Sequence, residues 1–171
     1  MIKKFLFVIF ISLTINPLNA DVPYYLDFKY ILNNSLAGKK AQETLRNTLD
    51  KGIKQIQQKE KLLLEEEKKI IQQKKVIKPD EYKKKVEELR KKVSSLQNER
   101  NKLLENTAKK RSKARSELLK NLNPIIKEFM QEKKIRMVVD KKSLLLADQN
   151  LDITNDIMER LNKKLKSIKL N

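Results

Sequence analysis

The residues of this chain best equipped to engage another molecule are cationic. Their densest run is Lys109-Lys110-Arg111-Ser112-Lys113-Ala114-Arg115. On a helix such a run presents a ladder of positive charge suited to an anionic partner. Other chemistry finds little support. The 171 residues include no His and no Cys, hence no imidazole acid–base pair, no thiol nucleophile and no ordinary zinc site. Two Gly are too few for a glycine-rich phosphate cradle, which needs several at fixed offsets. Carboxylates remain as candidates for catalysis. They fall among lysines on helix surfaces, and no pair is isolated in an apolar setting. The sequence thus reads as a binding or structural protein, not an enzyme, with no catalytic residue, metal site or cofactor.

The elements that carry these charges follow from composition and spacing. Lys+Arg number 40 against 22 Asp+Glu, a net charge of +18, with 39% hydrophobic and 5% aromatic residues. Such a composition suggests long helices or a coiled coil. At the N-terminus, Lys3 and Lys4 precede an apolar run from Phe5 to Leu13, then Pro17 and Ala20. A charged start, an apolar stretch and a small residue make residues 1–20 a candidate signal peptide. The run falls short of the about 20 apolar residues a membrane span needs. The mature chain is expected to be exported and soluble, and without Cys it must rely on packing and assembly.

From Lys39 to Lys134 the apolar residues keep helical time. Tyr82, Val86, Leu89, Val93, Leu96 and Leu103 follow a heptad seam, and Leu45, Leu49, Ile53, Ile56, Leu63, Ile70 and Ile77 come close to one. Pro79 interrupts them, because it disfavours helix at Lys78. Asp80 can cap the helix that follows. Residues 39–134 are therefore expected to form an antiparallel helical hairpin turning near 78–80, at Pro79 and Asp80. Its return arm would run about 80 Å, too long for a compact domain, so the hairpin must project. Glu60 and Arg100 interrupt the seam at matching heights and could pair to fix register.

The flanks, 21–38 and 135–171, are expected to fold together as a small body. Val22-Pro23-Tyr24-Tyr25-Leu26-Asp27 is rich in strand formers, with Pro23 near its start, and Phe28 to Leu36 reads as a short helix ending at Gly38. Ile135 to Val139 reads as a second strand, Ser143 to Ala147 as a third, and a last helix carries Ile153, Ile157, Leu161 and Leu165, capped by Asp152 or Thr154. Core candidates of this body, within the chain or between copies, are Tyr25, Leu26, Ile135, Met137, Val139, Leu145, Ile157 and Leu161. The fold class is α+β. So small a body is marginal alone and leaves sheet edges open, which favours oligomerisation. The charge divides unevenly: 29 Lys+Arg stand against 15 Asp+Glu in the hairpin, but only 9 against 7 in the body. Lys109, Lys110, Arg111, Lys113 and Arg115 are the candidate contacts for a client chain or polyanion.

The stretches Val138-Val139-Asp140 and Asp152-Ile153-Thr154, with Tyr24-Tyr25-Leu26-Asp27 ahead of a basic hairpin, resemble the Skp/OmpH family of periplasmic chaperones. The resemblance implies a homotrimer whose bodies form a β-structured hub and whose hairpins surround a cavity. It implies unfolded outer-membrane proteins as clients, held without ATP. It further implies a site for lipopolysaccharide or an anionic membrane surface on the returning arm, where Lys109-Lys110-Arg111 lacks the family's longer arginine cluster. Two other readings stay open. A coiled-coil spacer tethering the envelope would need an anchoring module, and none is apparent. A polyanion binder would suit the basic arm, but without aromatics for base stacking no specific nucleic acid is expected.

Overall fold

The computed structural model describes residues 22–170, so the expected signal peptide lies outside the described residues. In chain order the elements are β1 (Tyr24–Leu26), α1 (Phe28–Asn34), α2 (Leu36–Gln73), α3 (Pro79–Lys133), β2 (Val138–Asp140) and α4 (Thr154–Lys164), with short 3-10 turns at Lys141–Ser143 and Gln149–Leu151. Helices α2 and α3 form the hairpin. At 1.5 Å per residue they run about 57 and 82 Å. The longer α3 extends past the start of α2, and its last turns become the wall of the body.

Helices α1 and α2 are separate because of Ser35. Its extended backbone ends α1, and its buried hydroxyl accepts the Gly38 amide at 3.2 Å to start α2. The sequence reading ran α1 through Leu36 and stopped it at Gly38. Gly38 instead lies in the first turn of α2, where a Cβ would meet the Leu32 carbonyl oxygen at 2.0 Å. Only glycine permits that approach.

The turn also sits slightly earlier than expected. It occupies Lys74–Lys78, and Pro79 opens α3 as its first residue, where the missing N–H costs nothing. Asp80 is not the cap. It stands with Glu81 in the first turn, where acidic groups favour the helix dipole. At its far end α3 closes on Lys134, which takes a left-handed conformation (φ 55, ψ 33), and the Ile135 amide returns to the Met130 carbonyl at 2.8 Å.

The sheet is smaller than the sequence suggested. It has two parallel strands, with Tyr24, Tyr25 and Leu26 opposite Val138, Val139 and Asp140. Because Ile135 belongs to the cap of α3, the alternation expected from Ile135 through Met137 does not extend back along a strand. Ile135 is buried and Val139 half-buried, but Met137 is 57% exposed. The third strand is absent. Asp140 accepts the Lys142 amide at 3.2 Å and turns the chain out of the sheet, leaving Leu145 fully exposed. Met137 and Leu145 are thus outside the core of the single chain.

The core gathers Leu26 and Ile31 with Leu118, Leu122, Ile125 and Phe129 of α3 and Ile153, Ile157 and Leu161 of α4. Complete burial of side chains such as Ile31, Leu122, Ile157 and Leu161 stabilises by about 1.5–3 kcal/mol each.

Gly38→Ala is expected to destabilise the body by about 1–3 kcal/mol, read by denaturant unfolding, because a backbone carbonyl cannot move aside as a side chain would. Lys134→Gly should act in the opposite sense, by about 1 kcal/mol, since glycine adopts the left-handed conformation without strain.

Candidate functional site

The hairpin arms are lightly bonded. Three ion pairs cross between them: Lys59–Glu99 at 2.5 Å, Lys92–Glu66 at 2.6 Å and Arg100–Glu60 at 3.7 Å. The Glu60–Arg100 register pair read from the sequence is therefore present. All three are exposed, and pairs of this kind contribute about 0–1 kcal/mol each. Few arm residues are fully buried: Ile56 and Ile70 on α2 and Leu96 on α3 mark the outer seam. Other apolar side chains remain open to solvent, among them Leu62, Leu64, Ile71, Val93 and Leu104.

The two larger grooves between the arms lie at opposite ends of the hairpin. The outer one, about 820 Å³, is lined by Leu63, Leu64, Ile70, Val86 and Leu89, with Arg90 and Arg100 among its charged residues. The second, about 690 Å³, lies at the hairpin root between α2 and α3. Leu45, Leu49, Ala114 and Leu118 form its apolar floor, and Arg46, Arg111 and Arg115 stand on it with Glu43.

The candidate cations divide accordingly. Arg111 and Arg115 line the root groove, and Arg115 also stands over the Phe28 ring at 5.8 Å. Lys109 is exposed and pairs with Glu105 at 2.5 Å along the same helix. Lys110 is half-buried and Lys113 exposed. The run is thus a mixed strip, with its arginines turned to a groove. Among the described residues no group of three or more carboxylates could hold a metal ion, and no helix is long and apolar enough to cross a membrane.

A polar node in the body ties the entry of α4 to β1 and α1. The Asp152 carboxylate accepts the Thr154 amide at 2.9 Å and the Thr154 hydroxyl. That hydroxyl in turn accepts the Asp27 amide at 2.8 Å, and the Asp27 carboxylate accepts the Tyr30 amide at 2.7 Å. So Asp152 organises the entry to α4 while Thr154 reaches across to β1 and α1. Partial burial alone would raise the Asp152 pKa. The Thr154 hydrogen bonds and Lys141, 3.4 Å away, outweigh it and hold the carboxyl below its ordinary value. Outside the node, Arg160 grips Glu132 through two hydrogen bonds of 2.9 and 2.6 Å and lies 4.8 Å from the Phe129 ring centre.

One feature escaped sequence reasoning. The tail after α4 folds back to the root, burying Leu170 among Ala41, Leu45 and Ala114 while Ile168 bridges to the main core. Its signal was Ile168 and Leu170 alternating with lysines, a pattern too brief to stand out beside the preceding helix.

A family model for outer membrane proteins of the OmpH-like type matches residues 24–161. The chain belongs to the OmpH-like family. Among solved structures it is similar to a candidate OmpH-like outer membrane chaperone from Caulobacter crescentus CB15, with a TM-score of 0.81 at 21% identity over 86% of this chain and 89% of that one. That likeness covers the fold. No curated protein sequence matches the chain. The OmpH-like match begins at β1 and ends within α4, so it spans both ends of the body and the whole hairpin, and leaves the tail outside.

The Asp152 node predicts a pH dependence. A carboxyl whose pKa is lowered by folding contributes stability that is present above its unfolded pKa and lost as pH falls through the folded one. Asp152→Asn should cost about 1–2 kcal/mol at neutral pH. The gap to the parent should close as both are titrated below the ordinary aspartate range, followed by thermal unfolding across a pH series.

Proposed function

We propose that this chain is an ATP-independent holdase chaperone of the periplasm, which binds unfolded outer-membrane proteins and keeps them from aggregating in transit. The observation that carries the reading is the division of labour between body and arms. The apolar core and its hydrogen-bond node lie in the body. The arms project with 29 Lys+Arg against 15 Asp+Glu and leave aliphatic side chains uncovered. A basic surface draws in chains carrying negative charge over a distance. Scattered aliphatics without aromatic anchors give many weak contacts and so little selectivity. Membership of the OmpH-like family and the fold shared with a candidate outer membrane chaperone support the same role.

The holdase works as a homotrimer assembled through its bodies, with the arms enclosing a basic cavity. The outer edge of β1 is taken by the chain ahead of α4, where the Ile153 amide donates to the Tyr25 carbonyl at 2.9 Å, which leaves the outer edge of β2 for pairing. Met137, Leu145 and Leu146 stand exposed at or near β2, and a neighbouring copy would cover them. Weak contacts on three arms then add by avidity. Clients leave when they fold elsewhere, by mass action.

The mature protein is expected to suppress aggregation of a urea-diluted outer-membrane barrel, at about one trimer per client, as measured by light scattering. No suppression at low salt would overturn the reading. Native mass measurement should show trimers with and without client. Met137→Asp should abolish the trimer while leaving the helical circular-dichroism signal, because the side chain is exposed in the single chain and buried only between copies. A trimer unaffected by the charge would place the interface elsewhere. Reversing Lys109, Lys110 and Arg111 to Glu should weaken client binding more than trimer formation, compared by titration and sedimentation.

A further inference from the structure

The tail and the root groove form one continuous surface. Ala41, Leu45 and Ala114, which surround Leu170, also line the open groove beside it, and Ile168 borders both. After α4 the tail is not helical; Lys166 and Ser167 are exposed, and the last three described residues alternate, Ile168 half-buried, Lys169 exposed and Leu170 buried. That is how a strand-like segment seats one face on an apolar floor. The tail therefore occupies part of a longer seat for an extended chain.

The charges of seat and tail do not match. Arg46, Arg111 and Arg115 line the groove against the single Glu43, with Asp50 pairing to Arg46 at 3.8 Å. The tail adds Lys166 and Lys169 to this basic neighbourhood and brings no acidic residue. Among its described residues the hold comes from the packing of Ile168 and Leu170. An incoming segment with the same alternation, but with acidic side chains between the apolar ones, would keep that hold and add charge complementarity. Strands of outer-membrane barrels alternate apolar and polar residues in this way.

We propose that the root groove is a binding site for a short extended segment of an unfolded client, in which apolar side chains alternate with acidic ones, and that residues 166–170 are its exchangeable resident. The proposal rests on the holdase reading and deepens it by naming one site on each arm pair and the sequence class it takes. The tail shields the apolar floor of the idle chaperone and gives way to a better-matched segment. A resident competitor lowers apparent affinity by the fraction of time it occupies the seat.

The test uses the full mature chain and a short fluorescent peptide of alternating Leu and Asp, read by anisotropy at low salt. The double variant Ile168→Ser/Leu170→Ser should bind it about tenfold more tightly than the parent, because the competitor is gone. Arg111→Glu/Arg115→Glu should bind it at least about tenfold more weakly, and a peptide with Lys in place of Asp should bind the parent no better than that variant binds the acidic one. An unlabelled peptide of residues 164–171 added in trans should displace the probe from the tail variant. Equal affinity of parent and tail variant, or no displacement in trans, overturns the proposal. Should the tail variant lose its helical signal, the Arg pair and the comparison of acidic with basic peptide on the parent decide the matter. Barrel aggregation is measured alongside. Suppression by the parent together with a silent tail defeats the groove and leaves the holdase standing, whereas no suppression defeats the holdase itself.

Discussion

The architecture depends on pairing two strands from opposite ends of the chain. Strand β1 lies parallel to β2, Tyr24 opposite Val138 and Leu26 opposite Asp140. Parallel strands cannot be joined by a tight turn and need a crossover connection. Here the crossover is the entire hairpin. An unstructured connection of that length would oppose pairing through its loop-closure entropy. Two antiparallel helices remove the difficulty by carrying the chain out and returning it to the same place. The arms therefore meet a structural demand before any functional one. They can vary in surface chemistry so long as α2 and α3 end where the strands can meet.

That arrangement separates a firm part from a yielding one. In the body, side chains from β1, α1, α3 and α4 converge on one core, and the Asp152–Thr154–Asp27 chain of hydrogen bonds joins the entry of α4 to the ends of β1 and α1. Beyond the root, where the tail packs against both, each arm helix meets its partner. The ion pairs between them are exposed, and the seam is buried only at intervals. An unequal count of charges adds repulsion along both helices. The arms can bend or part locally at small free-energy cost while the body stays intact.

The long-range plan was legible in the sequence because it rests on strong, repeated signals. The heptad series through Val86, Leu89, Val93 and Leu96 and the break at Pro79 announce a hairpin. The four-residue steps of Ile153, Ile157 and Leu161 announce α4. What failed were short segments whose state is set by one hydrogen bond. Leu144-Leu145-Leu146 looks like a strand, yet Asp140 turns the chain out of the sheet before it. Gly38 looks like a helix stop, yet Ser35 ends α1 and Gly38 serves a close approach. Among the candidate cations, Arg111 and Arg115 line a groove that the basic run did not disclose, because its walls come from residues distant in sequence, Leu32, Ala41 and Leu118 among them.

The small residues at the root give the last link between stability and use. Ala41 and Ala114 are nearly fully buried, yet neither has a side chain long enough to fill the space between α2 and α3. Leucines at those sites would zip the arms together down to the body, as they do around Leu118 and Leu122. Alanine leaves a gap, and the tail's Leu170 fills part of it. The same apolar burial can thus be supplied by a segment that is not part of either arm. A groove partly filled by a removable side chain has part of its floor covered when idle. Filling it with fixed core would stabilise the hairpin and take away an apolar seat, flanked by arginines, that lies against the body.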